Sequence, residues 1–401
     1  MTPALIDRKP TGESNDTLAV WGGETGGGFW HRATQTPVVN SVSFGYQDLD
    51  EWQAVALQQA EGHIYSRNTN PTVRVFEEKV RLLESAEAAT SFASGMAAIS
   101  NTLFALLKPG DRVVSIKDSY GGTNRIFVEF LPRFGIEIQL CDTTDHGQIE
   151  REIDQGCALL YLETPTNPTV KIVDIERLAA KAHAAGAIVV VDNTFATPIN
   201  QNPLALGADI VLHSASKFLG GHADALGGVI CGDAKWVQQV YQFREINGAV
   251  LSPADAYALL RGMKTLGIRI ERQNANAMKM AQFLSQHAAV EQVYFPGLPT
   301  HEHHDVANRQ MRGYGGMLSF LVRGGFDAVK HVLPRLKLAH RAANLGAVET
   351  IVGPPATTSH VECTPEQRSA MGIPEGLIRY SAGIENFEDL LADMQQALAI
   401  L

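Results

Sequence analysis

The stretch HSASKFLGGHADALGG, His213 to Gly228, holds a single lysine, Lys217, among small hydroxyl residues and glycines. It directly follows the apolar run ADIVLHS. A lysine partly withdrawn from water has a lowered pKa and offers a neutral amine for imine chemistry. Other residues could serve such an amine. Asp192 closes the preceding apolar run, AIVVVD. The turn Ser94-Gly95-Met96 opens a helix, where free backbone N–H groups suit a phosphate. Ser214 and Ser216 add hydroxyl donors, Tyr120 in DSYGGTNR offers a flat face, and Arg379 in LIRYSAG has the planar fork that matches a carboxylate.

Taken singly, each has an ordinary use: a turn aspartate, a plain tight turn, a packed tyrosine, a surface ion pair. Taken together they meet the needs of pyridoxal 5'-phosphate. That cofactor requires an amine for its aldehyde, a carboxylate for its pyridine nitrogen, a stacking ring, a phosphate cradle and an anchor for the substrate carboxylate.

The elements that would position these groups read as a parallel α/β sheet. DRVVSIKDS, CALLYLETP, AIVVVDNTF and ADIVLHSASK are short apolar runs, and VDIERLAAKAHAAG between two of them is an amphipathic helix closed by Gly186. Three consecutive runs end at Asn167, Asp192 and Lys217, and ligands of open parallel sheets bind beyond the carboxyl ends of their strands. PTVRVFEEKVRLL predicts a helix with Pro71 in its first turn. Beyond about residue 250 the pattern changes to a long helical stretch with a break near Gly267, then the strands GGMLSFLVRGG and LIRYSAGIE and a terminal helix. The expected organisation is an extended arm over residues 1–62 that contacts a partner subunit, a cofactor-binding domain over 63–255, and a smaller α+β domain over 256–401.

The 401-residue chain is 45% hydrophobic and 19% charged, with 33 Lys and Arg against 43 Asp and Glu, a net charge of −10. That balance argues against non-specific phosphate-backbone binding to nucleic acid. Cys141, Cys157, Cys231 and Cys363 form no CxxC pair, so neither zinc nor redox spacing is present and buried thiols are expected; no metal is expected. No run approaches the roughly 20 apolar residues of a membrane span, and a cytoplasmic enzyme is the expectation.

The chain resembles the Cys/Met-metabolism group of fold-type-I pyridoxal-phosphate enzymes, a group that includes cystathionine γ-synthase, cystathionine γ-lyase, methionine γ-lyase and the homoserine-ester sulfhydrylases. YSRNTNPT, FASGMAA, DSYGGTNR, ETPTNPT, VDNTFATP, NPLALGADIVLHSASKFLGGH, LSPADAYALLRGMKTL, YFPGLPTH and LIRYSAGIEN carry the likeness. It implies a mostly parallel central sheet flanked by helices with a smaller C-terminal domain. It implies that Lys217 carries the cofactor, that Asp192 pairs with the pyridinium and that Tyr120 stacks on the ring. Gly95, Met96, Ser214 and Ser216 would hold the phosphate, completed by Tyr65 and Arg67 of a neighbouring subunit in a homotetramer built as a dimer of dimers. Asn167, Thr350 and Arg379 would orient a small amino-acid substrate. The implied reaction is γ-elimination or γ-replacement on γ-substituted L-2-aminobutanoates, of cystathionine γ-lyase or γ-synthase type. The alternatives are an O-acylhomoserine sulfhydrylase or a methionine γ-lyase-like γ-lyase acting on another polar substrate such as canavanine.

Specificity signals are mixed. Arg125 matches a position used near the distal carboxylate by members that process cystathionine, and Glu349 matches an acidic position common to the lyases. Gly122 stands where methionine γ-lyases carry a cysteine, and apolar Ile64 stands where cystathionine γ-lyases often place a glutamate.

Overall fold

The computed structural model describes residues 13–24, 33–358, 361, 364–370 and 372–401. Its larger sheet has seven strands: β1 (Ala88–Phe92), β2 (Arg112–Ile116), β3 (Glu137–Cys141), β4 (Leu159–Glu163), β5 (Ile188–Asp192), β6 (Ile210–Ser214) and β7 (Gly228–Gly232). Their order is β1-β7-β6-β5-β4-β2-β3. The central block β6-β5-β4-β2-β3 is parallel, and β7 runs antiparallel to both of its neighbours, β1 and β6.

The continuous apolar runs form central strands because both of their faces are covered. Leu160, Leu162, Val189, Val191 and Val211 face one core with the helices Pro71–Leu83 and Ile175–Ala184. Leu159, Tyr161, Val190, Ile210 and Leu212 face the other, against the helix Gly95–Leu106. The helix predicted from PTVRVFEEKVRLL spans Pro71–Leu83, with Pro71 in its first turn and Asn70 accepting the N–H groups of Thr72 and Val73.

A second sheet has the order β10-β11-β12-β9-β8, with β8 (Val290–Tyr294), β9 (Met317–Val322), β10 (His340–Arg341), β11 (Ile351–Gly353) and β12 (Leu377–Ser381). One face of it packs on the helices Leu266–Ser285, Gly325–Val332 and Phe387–Leu398 around Phe295, Phe320, Tyr380 and Met394. The fold is the expected one: a mostly parallel helix-flanked sheet with a smaller α+β unit.

Three local details differ from the reading of the sequence. The stretch read as irregular contains the short helices Asn15–Trp21 and Leu49–Ala56, capped by Ser14 and Asp48; residues 1–12 and 25–32 of it lie outside the described residues. The first helix is tied to the body by fully buried Lys79, whose Nζ donates to the carbonyls of Ala19 and Val20 and to Glu24. The break in the long helical stretch falls between Met263 and Leu266, before Gly267. Gly267 sits inside the first turn of the second helix, where an added Cβ would stand 1.7 Å from Asp16 Oδ1. The glycine marks the close approach of the N-terminal segment through the Asp16 side chain, not a helix break. The antiparallel strand β7 was also missed, because glycines bracket its short apolar run.

Candidate active site

The parallel strands β2, β4, β5 and β6 all deliver their carboxyl ends to one cavity of about 260 Å³. Of the residues singled out in the sequence, Gly95, Met96, Tyr120, Asn167, Asp192, Ser214, Ser216, Lys217 and Arg379 line it. A larger groove, about 720 Å³, lies elsewhere, between residues 55–69 and the helix Ala234–Asn247; of the residues singled out in the sequence, Ile64 alone lines it.

Lys217 follows β6, its backbone N–H bonded to the Ser214 carbonyl. Its Nζ donates to Asn344 Oδ1 at 2.8 Å. Burial, then the nearby Arg379 guanidinium, lowers the amine to about 8. The neutral amine is the nucleophile, so the reaction of cofactor-free protein with an aldehyde accelerates about tenfold per pH unit below that value and levels off above it. Stopped-flow absorbance across pH 6 to 10, taken here as roughly two units either side, checks this; a flat profile would contradict the assignment.

Arg379, on β12, is buried at 5% exposure. Its guanidinium donates to Asn167 Oδ1 at 3.1 Å and to the Asn344 carbonyl at 3.0 Å, both neutral partners. Burial lowers it to about 10. Asp192 is also buried, and its Oδ1 accepts the Thr194 N–H at 2.9 Å. Glu163 stands beside it in the sheet register. Burial pushes both carboxyls up, and Asp192 pushes Glu163 further. Among the described residues, no ion pair takes up Lys217, Arg379, Asp192 or Glu163. Buried charges without partners are costly, so a site of this kind is made for a charged ligand.

The helix Gly95–Leu106 begins at the floor of the cavity. Ser94 Oγ caps the Ala97 N–H and the Ser94 carbonyl takes Ala98 N–H, which leaves the amides of Gly95 and Met96 without a partner among the described residues. A Cβ on Gly95 would stand 2.7 Å from Ser214 Cβ, and one on Gly228 would stand 2.2 Å from the Ser94 carbonyl oxygen. Glycine at both positions lets the helix start settle onto the ends of β6 and β7, forming a cradle of free N–H groups beside the Ser214 hydroxyl. Phosphate fits this cradle, an aldehyde fits Lys217, and a protonated pyridine nitrogen fits Asp192. Gly95→Ala fills the cradle; overpacking of this kind costs on the order of 1–3 kcal/mol, or roughly 10–100-fold in affinity. A titration of cofactor-free protein with pyridoxal phosphate measures that loss, and unchanged affinity would remove the cradle from the site.

Ser216 lines the cavity, but its hydroxyl is already engaged, donating to the Gly227 carbonyl at 3.2 Å and accepting the Gly227 N–H at 2.9 Å. Tyr120 is 41% exposed at the cavity wall. Five candidates lie outside the cavity lining. Thr350 is locked on Glu385, through its N–H at 2.6 Å and its hydroxyl at 2.9 Å, at the foot of β11. Its hydroxyl also accepts the Gly383 N–H at 3.0 Å, so it braces the strand beside Arg379 and does not face the ligand space. Arg125 forms an i,i+4 ion pair with Glu129. Glu349 is exposed. Tyr65 is exposed, and the Arg67 guanidinium lies 5.1 Å over its ring.

Several participants carried no clear sequence signal. Asn344 touches both Lys217 and Arg379 from a coil segment. Buried Arg269 donates to the carbonyls of Phe218, Leu219 and Gly262, which fixes the chain just after Lys217. An added Cβ on Gly221, which has φ +72°, would strike the Arg269 guanidinium at 2.1 Å. Glu163 stands inside the ETPTNPT segment, where no role is read for it from the sequence. Cys141, Cys157 and Cys231 are buried, Cys363 lies outside the described residues, and no group of three or more potential metal ligands forms among the described residues.

Residues 16–399 match the model of a family described as "Cys/Met metabolism PLP-dependent enzyme". The chain is 44% identical over 366 residues to an L-methionine gamma-lyase of Fusobacterium nucleatum subsp. polymorphum, covering 90% of this chain and 92% of the relative. It is 43% identical over 383 residues to a cystathionine gamma-lyase of Bacillus subtilis, covering 95% and 98%. A crystal structure of cystathionine gamma synthase from Xanthomonas oryzae pv. oryzae, in complex with aminoacrylate and cysteine, superposes with a TM-score of 0.91 at 37% identity, covering 97% of this chain and 98% of that one.

Proposed function

Since the chain belongs to the Cys/Met-metabolism family of pyridoxal-phosphate-dependent enzymes, we propose that it catalyses γ-elimination or γ-replacement on γ-substituted L-2-aminobutanoates. The observation that carries this reading is the cavity itself: a lysine amine lowered to about 8 and a buried arginine with no carboxylate partner among the described residues share it with a buried aspartate. Relatives named for γ-lyase and γ-synthase activities support the choice of γ-chemistry.

Lys217 would hold the cofactor's aldehyde carbon, Asp192 its pyridine nitrogen, Tyr120 its ring face, and Gly95, Met96 and Ser214 its phosphate. Ser216 would join them by exchanging its bond to Gly227 for one to a phosphate oxygen. When bound, pyridoxal phosphate supplies an electron sink for the pair left at Cα when its proton departs. Arg379, oriented by Asn167 and Asn344, takes the substrate carboxylate in its fork. The free amine of Lys217 would accept the Cα proton and then handle a proton at Cβ. The hydroxyl of Tyr120, at the open side of the cavity, gives a proton to the departing γ-substituent.

Tyr65 and Arg67, exposed and outside their own cavity, are assigned to the phosphate site of a second subunit, within a homotetramer built as a dimer of dimers. Residues 63–255 form the cofactor-binding domain and 256–401 the small domain; the segment before residue 63, whose first helix packs on its own chain, is assigned contacts to a partner subunit as well. No helix among the described residues is long and apolar enough to cross a membrane, and we place the enzyme in the cytoplasm. Thr350 acts by bracing β11. Arg125 and Glu349 do not reach the cavity of their own chain, so they leave the distal group of the substrate open. Cystathionine is the first choice, with O-acylhomoserines or another polar substrate such as canavanine as alternatives. A Cβ on Gly122 would meet Met96 Sδ at 2.7 Å and the Tyr120 ring at 2.9 Å, so a cysteine there would require both to shift. Purified holoenzyme is to be incubated with cystathionine, methionine, canavanine and O-acylhomoserines, with and without a thiol. 2-Oxobutanoate or a new thioether from at least one is the predicted outcome, and neither product from any of them overturns the γ-chemistry.

A further inference from the structure

Glu163, the last residue of β4, has no part in the roles above, yet it is buried at 5% exposure in the wall of the cavity. Each of its oxygens accepts a main-chain N–H from a different loop. Tyr120 N–H donates to Oε2 at 2.8 Å, and Asn167 N–H donates to Oε1 at 3.0 Å. Tyr120 follows β2 and Asn167 follows β4, and these strands are adjacent in the sheet. Asn167 in turn holds Arg379 through Oδ1. A continuous path therefore runs from the Tyr120 backbone through one carboxyl group to the guanidinium. The location is an expensive one for an acid: it is buried, and its register partner on β5 is Asp192, another acid. An apolar residue would fill the strand end at lower cost but could not bond either loop.

We propose that Glu163 is a positioning residue for the reaction: its carboxyl group ties the Tyr120 loop to the Asn167 loop, holding the stacking ring and the carboxylate fork in one fixed geometry. This rests on the assignments of Tyr120, Asn167 and Arg379 made above. The substrate spans ring and fork, so a shift of either loop against the other misplaces Cα relative to Lys217, and displacements of about 1 Å cost up to roughly 100-fold in rate.

Glu163→Gln keeps the size but turns an NH2 group towards one of the two main-chain N–H donors, which releases that loop. Glu163→Asp keeps the carboxyl group but is one methylene too short to span both. Both variants are predicted to bind cofactor, to show an altered circular-dichroism band of that cofactor, and to lose roughly 10–100-fold in kcat/KM per loaded site, with KM raised. Loaded Glu163→Gln with the KM, kcat and dichroism of the unaltered enzyme would overturn the proposal. If neither variant folds, hydrogen–deuterium exchange on the unaltered protein without cofactor decides. The amides of Tyr120 and Asn167 must both be protected, and exchange of either at the rate of exposed loop amides overturns the tie. An unaltered protein that never takes up pyridoxal phosphate would instead defeat the site assignment. A loaded, active one beside an unimpaired Glu163→Gln defeats this inference alone.

Discussion

Lys217→Ala leaves a folded protein with turnover reduced by at least about 10⁴-fold, because one side chain serves as attachment point, base and proton carrier. The loss is predicted in kcat. Lys217 lies in a loop held by backbone bonds that do not depend on its side chain: Lys217 N–H to Ser214, Gly221 N–H to the Lys217 carbonyl, and Arg269 on the carbonyls of the next two residues. Removing the side chain deletes the bond to Asn344 Oδ1 and leaves those contacts in place. Circular dichroism of the backbone should therefore be unchanged. Added methylamine should restore a small fraction of turnover by entering the vacated space. Residual activity well above about 0.01% of the unaltered enzyme, without added amine, would mean that another base performs the proton transfer.

Arg379→Met is predicted to raise KM for every amino-acid substrate by roughly 10²–10³-fold, in line with the 2–5 kcal/mol typically lost when one partner of a buried charged pair is removed. Methionine approximates the volume, so the cavity is not opened. The free protein loses an uncompensated buried cation and should be as stable as before, or more so. This separation is diagnostic: an arginine serving only the fold would lower Tm when replaced and leave KM per folded site unchanged. Arg379→Lys should recover little, because an ammonium cannot bond a carboxylate and Asn167 Oδ1 in the same plane. Steady-state kinetics on two substrates with different γ-substituents checks that the effect follows the shared carboxylate.

The parts of the site that were legible in the sequence sit at the ends of buried strands. VVVD, VLHS and YLETP announce themselves because a short run apolar on both faces suits a central strand, and the polar residue after such a strand lies at the sheet's carboxyl edge. Lys217, Asp192 and Ser214 follow from that alone. Arg379 was legible as a motif, while the lack of a carboxylate partner for it among the described residues is a tertiary fact. Asn344 lies in a coil between β10 and β11, and it meets Lys217 only because the chain folds back across 127 residues. Arg269 looks like any solvent-facing arginine of an amphipathic helix until the carbonyls of Phe218 and Leu219 are seen against it. Thr350 is a hydroxyl beside an acidic residue in sequence, and only the folded chain shows it committed to Glu385. Strand β7 has three apolar residues between glycines, which suit a turn as well as a strand. It lies between β1 and β6 by antiparallel pairing with both, and Gly228 passes close over Ser94, neither of which periodicity encodes.

The most direct test of the account is borohydride reduction of the holoenzyme followed by peptide mapping. The yellow colour should bleach, and the reduced pyridoxyl group should be found on the peptide containing Lys217, at about one equivalent per chain. A colourless protein that cannot be reconstituted with pyridoxal phosphate, or a label on any other lysine, would contradict it.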